Sequence, residues 1–128
     1  YERGGYAVAI SPDERWVAWT GYEKYLTRLE IREFVRLVDL QEPEKHGWDV
    51  LRGDADYDVV RFSPDGRWLA AGDVEGTAPL VSVVDPAAEP RLLGAVAGGV
   101  AAMVFASDDA LVALGGDGEV CAWSLARG

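Results

Sequence analysis

The chain of 128 residues is long enough for one domain, and its 49% hydrophobic residues can fill a core of that size. Its 22 acidic and 12 basic residues give a formal net charge of -10, which works against binding to nucleic-acid phosphates or to anionic membranes. The single cysteine, Cys121, excludes an intrachain disulfide, and no apolar run approaches the roughly 18 residues of a membrane-spanning helix.

The first predicted elements are an apolar strand, a turn and a second apolar strand. Residues 6–10 are apolar throughout, as expected of a strand that is covered on both faces. The segment Ser11-Pro12-Asp13-Glu14 has turn chemistry, because Pro fixes φ and Asp can bond its own neighbouring backbone. Residues 15–20 then form the second strand.

The next stretch, residues 21–33, is longer than the corresponding connections later in the chain. Its tyrosines Tyr22 and Tyr25, with the leucines that follow them, fit a short helix, whereas the charges that alternate with apolar residues further on fit an extended strand. A helix would place Arg28 against the like-charged Arg32, so we predict a lengthened β-hairpin.

The pattern of strand, turn and strand occurs three times. The turns opened by Ser11, Ser63 and Ser107 are 52 and 44 residues apart, which is about the length of a propeller blade. The second copy has the fullest turn, because Ser63 is followed by Pro, Asp and Gly before the next strand. Three copies in one chain indicate a repeat architecture.

Each repeat continues into a third strand, and the first two continue into a fourth. The third strands are predicted at residues 34–40, 80–85 and 120–125, and the fourth strands around 46–51 and 91–96. A repeated four-strand meander predicts an all-β fold built of β-propeller blades. We expect about three four-stranded antiparallel repeats, of which the last lacks its outer strand.

These repeats divide residues 1–128 into a single partial propeller. Blade 1 is expected at about 5–52, blade 2 at about 53–97 and blade 3 at about 98–128. A ring typically needs about four blades or more. We therefore expect these blades to belong to a larger propeller, or to one that is completed by another copy.

Residues 53–85 resemble a WD-repeat blade. The segment Phe62-Ser-Pro-Asp-Gly-Arg-Trp-Leu-Ala-Ala-Gly72 is similar to the family's strand, turn and strand, and Val83-Val84-Asp85 stands where Trp-Asp closes the third strand. The family's Gly-His pair is absent before the first strand, which implies that blade stability depends on packing. The Ser-Pro-Asp turn followed by a Trp-containing strand is also similar to TolB-type propeller repeats.

The resemblance implies a non-catalytic protein-interaction scaffold that binds a protein or peptide, with self-association or another segment completing the propeller. Tyr22, Tyr25 and Arg28 are the candidate binding residues, because they lie in the one insertion that the repeat does not require. Packing of these side chains on the blade's own edge is an equally weighted alternative. The competing functional hypothesis is a propeller accessory to an enzyme, a hydrolase or a TolB-type system, with the catalytic residues elsewhere.

The sequence shows no catalytic set, and we expect no enzyme activity, cofactor or metal. His46 is the sole histidine, and no serine lies in a Gly-x-Ser-x-Gly elbow. Asp54, Asp56 and Asp58 begin like a calcium loop, but the Gly and Glu that such a loop needs further along are absent, so an acidic loop between blades is preferred. No signal-peptide pattern is present, so we expect a cytoplasmic protein, with a periplasmic or secreted one as the alternative.

Overall fold

The computed structural model describes residues 7–25, 30–42, 47–53 and 56–125. Within these ranges the structure is all-β and contains three antiparallel sheets. No helix in the described residues is long and apolar enough to cross a membrane. The predicted fold class, propeller blades built from antiparallel repeats, is confirmed.

In each sheet, strands that follow one another in the sequence are also neighbours in space. The first sheet contains β1 (Val8–Ile10), β2 (Trp16–Tyr25), β3 (Glu30–Asp39) and β4 (Trp48–Gly53). The second contains β5 (Tyr57–Phe62), β6 (Trp68–Asp73), β7 (Thr77–Ser82) and β8 (Arg91–Ala95). The third contains β9 (Val100–Ser107), β10 (Ala110–Gly115) and β11 (Val120–Ser124).

The insertion in the first repeat forms the predicted lengthened hairpin. The strands β2 and β3 pair continuously from Trp16 opposite Asp39 to Tyr25 opposite Glu30. The helical alternative is wrong for these residues, since both strands extend well beyond the length of their counterparts in the second sheet. The tip of the hairpin, residues 26–29, lies outside the described residues.

The third strand of the second repeat begins and ends three residues before its predicted position. The strand β7 spans Thr77–Ser82 rather than 80–85, and it pairs Val81 with Leu69 of β6. The chain then bends away from the sheet, so Val84 lies beyond the strand and is 78% exposed. The prediction that Val84 stands at the closing position of the third strand is therefore wrong.

A tight turn between β6 and β7 explains this shift. One carboxylate oxygen of Asp73 accepts hydrogen bonds from the backbone N–H groups of Glu75 at 3.0 Å and of Thr77 at 2.8 Å. Gly76 completes the turn with a φ of 94°, a conformation that favours glycine. Because the turn is closed so early, Thr77 already begins the next strand.

Two apolar clusters lie between the sheets. The first joins the first and second sheets and includes Leu37 and Leu69, while the second joins the second and third sheets and includes Leu80 and Leu111. Neighbouring residues of β6 point into different clusters, since Ala70 follows Leu69 and packs on the other side. The strands β6 and β7 of the middle sheet are thus buried on both faces, which is why they are nearly continuous apolar runs.

Close packing between the second and third sheets depends on Gly72. A Cβ atom at this position would lie 2.5 Å from Cγ1 of Val100, which is closer than two non-bonded carbon atoms come. The absence of a side chain therefore allows the first strand of the third sheet to lie directly against β6.

Candidate interaction site

Two equivalent turns connect the first and second strands of the first two sheets. In the first turn, Ser11 Oγ donates a hydrogen bond to Asp13 Oδ1 at 2.6 Å and accepts the backbone N–H of Trp16 at 2.9 Å. Ser63 makes the same two bonds in the second turn, to Asp65 at 2.7 Å and from the backbone of the following tryptophan at 3.0 Å. Both serines are buried, so their hydroxyl groups are built into the turns.

Each turn aspartate also accepts a backbone N–H two residues further on. Asp13 accepts that of Arg15 at 3.0 Å, and Asp65 accepts that of Arg67 at 3.1 Å. The hydrogen bond from the turn serine, together with this backbone bond, lowers the pKa of Asp13. For Asp65, burial would raise the pKa, but the equivalent two bonds outweigh burial and lower it. The predicted bonding of the turn aspartate to its own backbone is confirmed.

The two turns differ in the residue that takes the left-handed conformation. Gly66 has a φ of 75° in the second turn, and Glu14 has a φ of 62° in the first. This conformation costs a residue with a side chain about 1–2 kcal/mol. The N–H of Glu14 donates to Ser11 O at 2.9 Å, as the N–H of Gly66 does to Ser63 O, so the same hydrogen bonds hold both turns.

The third turn is shorter than the first two and has fewer side-chain bonds. Ser107 is exposed, and its Oγ accepts the backbone N–H of Asp109 at 3.3 Å. The strand β10 begins at Ala110, where the first two sheets have a tryptophan. The turn network of the first two sheets is therefore not repeated in the third.

A cleft of about 460 Å³ lies between the first two turns, and we call it the turn cleft. Pro12 of the first turn lies 3.8 Å from the position that a Cβ of Gly66 would occupy, so the two turns meet. The bend after β7 completes the lining. The lining residues are Asp13, Arg15, Trp16, Asp65, Gly66, Arg67, Val83, Val84 and Pro86.

The two arginines of the turn cleft have different surroundings. Arg15 donates to both carboxylate oxygens of Asp39, at 3.0 and 3.3 Å, and its guanidinium lies 5.0 Å from the ring centroid of Trp16. The bond with Asp39 raises the pKa of Arg15. Arg67 lies 3.8 Å from a carboxylate oxygen of Asp65 and is largely exposed. Arg15 is therefore held in place, whereas Arg67 can donate to a bound molecule.

The apolar lining of the turn cleft includes Val84. This side chain is exposed although it lines a concave surface, while the preceding Val83 is buried against the sheet. Tryptophan and arginine are enriched at protein interfaces, and in the turn cleft Trp16 and Arg67 lie beside this accessible valine. Sequence reasoning missed this cleft, because it assigned Val83, Val84 and Asp85 to the end of a strand.

The predicted binding residues lie elsewhere. Tyr22 is half-buried in β2, opposite Glu33, and Tyr25 is the last residue of that strand. Arg28 lies outside the described residues. Because β2 leads away from Trp16 at the turn cleft, the structure separates the two tyrosines from the cleft. Their role in binding stays a prediction.

Some of the residues that the sequence suggests for catalysis or metal binding lie outside the described ranges. Asp54 and His46 lie outside the described ranges, while Asp56 is half-buried and Asp58 is exposed. In the part of the chain that is described, no three His, Cys, Asp or Glu side chains come together to hold a metal. Burial and the hydrogen bond to Glu119 raise the pKa of the Cys121 thiol, so it stays protonated at neutral pH.

Comparison with known proteins agrees with the blade architecture. Residues 50–80 match the family model for the WD domain, G-beta repeat. This match includes the second turn network and β6, and it overlaps the segment whose residues resemble a WD-repeat blade. The family match is limited to residues 50–80, and the three sheets have the architecture of β-propeller blades.

A solved structure also resembles the three blades. The chain is similar to the apo form of AtxE2 isopeptidase, with a TM-score of 0.68 and 17% sequence identity over 84% of this chain. It spans 20% of the length of that isopeptidase chain. At this identity the likeness shows the fold alone. Among curated proteins, no match was found.

Ser63→Ala tests the turn network. We expect the free energy of unfolding to fall by about 1–3 kcal/mol, because the variant leaves a buried backbone N–H and a carboxylate without this partner. Ser107→Ala is the matched control in the third blade and should change stability by about 0.5 kcal/mol or less. Urea unfolding followed by tryptophan fluorescence measures both, and equal losses would contradict a special role for the buried serine.

The lowered pKa of Asp65 predicts a loss of stability in acid. The ionised carboxylate stabilises the fold above its ordinary pKa of 3.8, and this contribution is lost as the pH falls through the lower value of the folded state. Asp65→Asn should therefore be less stable than wild type at about pH 6, and the difference should narrow towards about pH 2.5. Unfolding curves at several pH values test this expectation.

The Ser63→Ala background provides the control for this experiment. The serine supplies a hydrogen bond that lowers the pKa of Asp65. In that background, the pH-dependent part of the Asp65→Asn effect should shrink. Parallel pH profiles for wild type and Asp65→Asn would show that the carboxylate contributes no stability through its charge.

Proposed function

We propose that this chain is a non-catalytic protein-interaction scaffold that holds an extended segment of a protein partner in the turn cleft. The observation that carries the proposal is the exposure of Val84 in a concave site beside Trp16 and the largely exposed Arg67. The WD-repeat match at residues 50–80 supports it, since WD-repeat blades generally mediate contacts between proteins.

The turn cleft suits a partner that supplies one apolar side chain and main-chain acceptors. The apolar side chain would pack on Val84 and Pro86, and Arg67 would donate to a carbonyl oxygen of the bound segment. The hydrogen-bonded turns form the floor before any partner arrives. A preformed floor lowers the entropy cost of binding.

Charge narrows the class of partner. The cleft lining has two aspartates and two arginines, so its own charge is balanced, whereas the whole chain carries a net charge of -10. The negative net charge of the chain would attract a partner that has basic residues beside its apolar anchor. The balanced charge of the cleft would not repel this partner. We therefore propose a basic peptide segment with a central apolar residue as the ligand, and we propose no nucleic-acid partner.

The proposed function needs no cofactor, metal ion or covalent step, and a cytoplasmic location remains part of the proposal. The hydroxyl groups of Ser11 and Ser63 support a function without a covalent step, because both are buried in turns and bonded to aspartate and backbone. Self-association, or another segment that completes the propeller, also belongs to the proposal.

A second candidate function is an accessory domain of an enzyme. The similarity to a fifth of an isopeptidase chain is compatible with this alternative. In that case the turn cleft would bind substrate or another domain, and the catalytic residues would lie outside this chain. Both hypotheses place binding in the cleft. Cleavage of the bound peptide by a polypeptide that joins this chain to a catalytic domain, but not by this chain alone, would favour the second.

Val84→Asp tests binding in the turn cleft. Peptides selected from a random displayed library against the wild-type chain should bind the variant at least about tenfold more weakly, because a carboxylate replaces the apolar contact. Fluorescence anisotropy with the selected peptides measures the dissociation constants. The selected peptides should be enriched in an apolar residue with basic neighbours.

Val74→Asp is the matched control for this substitution. Val74 is an exposed valine in the β6–β7 turn, at the other end of β6 from the turn cleft. The Val74→Asp substitution should leave peptide affinity within about twofold of wild type. Equal binding by Val84→Asp and wild type would overturn the cleft assignment, and a loss with Tyr22→Ala instead would place binding on the hairpin.

A further inference from the structure

The outer face of the third blade is an apolar sheet surface. Val112 of β10 pairs with Val104 and Ala122 on its two neighbouring strands, so these three side chains lie side by side. Leu114 extends the same surface towards Val120, which is 66% exposed. We call this surface the β9–β11 face. Its residues are Ala102, Val104, Val112, Leu114, Val120 and Ala122.

The equivalent face of the middle blade is buried. Ala70 and Leu80 form a cross-strand pair between β6 and β7, and both pack against the third blade. Val112 and Ala122 are the corresponding pair of the third blade. The pair Ala70–Leu80 lies next to Leu69–Val81, which faces the first blade, and Val112–Ala122 lies next to Leu111–Trp123, which faces the middle blade. The β9–β11 face therefore has the position of a blade-to-blade contact. Its six side chains are apolar, and Arg61 of β5 borders it, with its Nε donating to the backbone oxygen of Met103 at 3.1 Å.

The first blade exposes the side that would face a preceding blade. Val8 pairs with Trp19, and Ile10 pairs with Val17, on the side of the sheet away from the middle blade. Val38 extends this surface onto β3 by pairing with Val17. Val8 is 73% exposed. We call this surface the β1–β3 face, and in the other two blades the same side packs on the preceding blade.

An arginine and an aspartate form an ion pair at the β1–β3 face. Arg36 lies across the rings of Phe34 and Trp19, with its guanidinium 4.2 and 5.5 Å from their centroids. Its Nε donates to Asp49 at 2.6 Å, and Asp49 also accepts from Arg52 at 2.7 Å. Covering this face would therefore bury an arginine that keeps its carboxylate partner.

We propose that a second copy of this chain covers both faces, with the β9–β11 face of each copy packed on the β1–β3 face of the other. The proposal rests on the proposed function only in treating the chain as a set of propeller blades. Each copy presents one face of each kind, so two copies complete each other around a two-fold axis. Two sets of three blades give a ring within the range of about four to eight blades.

Sedimentation equilibrium of the wild-type chain and three variants tests this arrangement. The wild type should have twice the mass of one chain at about 50 μM, and Val120→Asp and Val8→Asp should each raise the dimer dissociation constant at least about tenfold. Leu92→Asp is the control, since Leu92 is 70% exposed on β8 of the middle blade and lies on neither face. It should stay dimeric, and circular dichroism should show all variants folded.

Mixing the two interface variants tests the head-to-tail orientation. In a pair of Val8→Asp and Val120→Asp chains, both substitutions meet at one interface, while the other interface has two unaltered faces. The mixture should therefore form 1:1 dimers more readily than either variant alone. Contact between two identical faces would instead leave either Val8→Asp or Val120→Asp fully dimeric, which would overturn the arrangement.

Salt provides an independent measurement of the same interface. Each copy carries a net charge of -10, so the two copies repel each other at low ionic strength. Because the proposed contact is apolar, the dimer dissociation constant should fall when NaCl is raised from about 0.05 to 0.5 M. Weaker association at high salt would contradict an apolar interface.

The outcomes also separate this proposal from the proposed function. A wild-type chain that is monomeric at about 100 μM and still binds the selected peptides through Val84 overturns the second copy alone, as does an open oligomer larger than a dimer. A dimer with the expected variant pattern that binds none of the selected peptides overturns the turn-cleft function alone.

Discussion

The burial of both faces of the middle blade is the interaction on which the rest of the structure depends. Within β6, Leu69 packs towards the first blade and Ala70 towards the third, so one strand anchors two interfaces. Gly72 lets the third blade approach closely enough for this contact. The near-continuous apolar sequence of β6 and β7 is the consequence, since these two strands pack on both sides.

Packing of the first two blades also creates the turn cleft. The clusters fix the relative position of the sheets, and the turn networks around Ser11 and Ser63 then hold the connecting segments against each other. The floor of the cleft is thus determined by scaffold interactions. What remains for recognition is the accessible part, above all Val84 and Arg67.

The sequence predicted the features that depend on local chemistry. Turn residues such as Ser63 and Asp65 identified the repeat, and the like charges of Arg28 and Arg32 correctly favoured a hairpin. The position of β7 was not predictable from the apolar pattern, because its start is determined by hydrogen bonds to Asp73. The cleft joins residues of different blades, and only the packing of those blades brings them together.

The free energies of unfolding of Leu69→Ala and Leu80→Ala test most directly whether the middle blade is held through both faces. The two leucines are buried in different clusters, so each variant should lose about 2–5 kcal/mol in urea unfolding. Leu92→Ala, at an exposed position of the same blade, should lose about 0.5 kcal/mol or less. A loss confined to one of the two leucines, or one no larger than that of Leu92→Ala, would contradict packing on both sides.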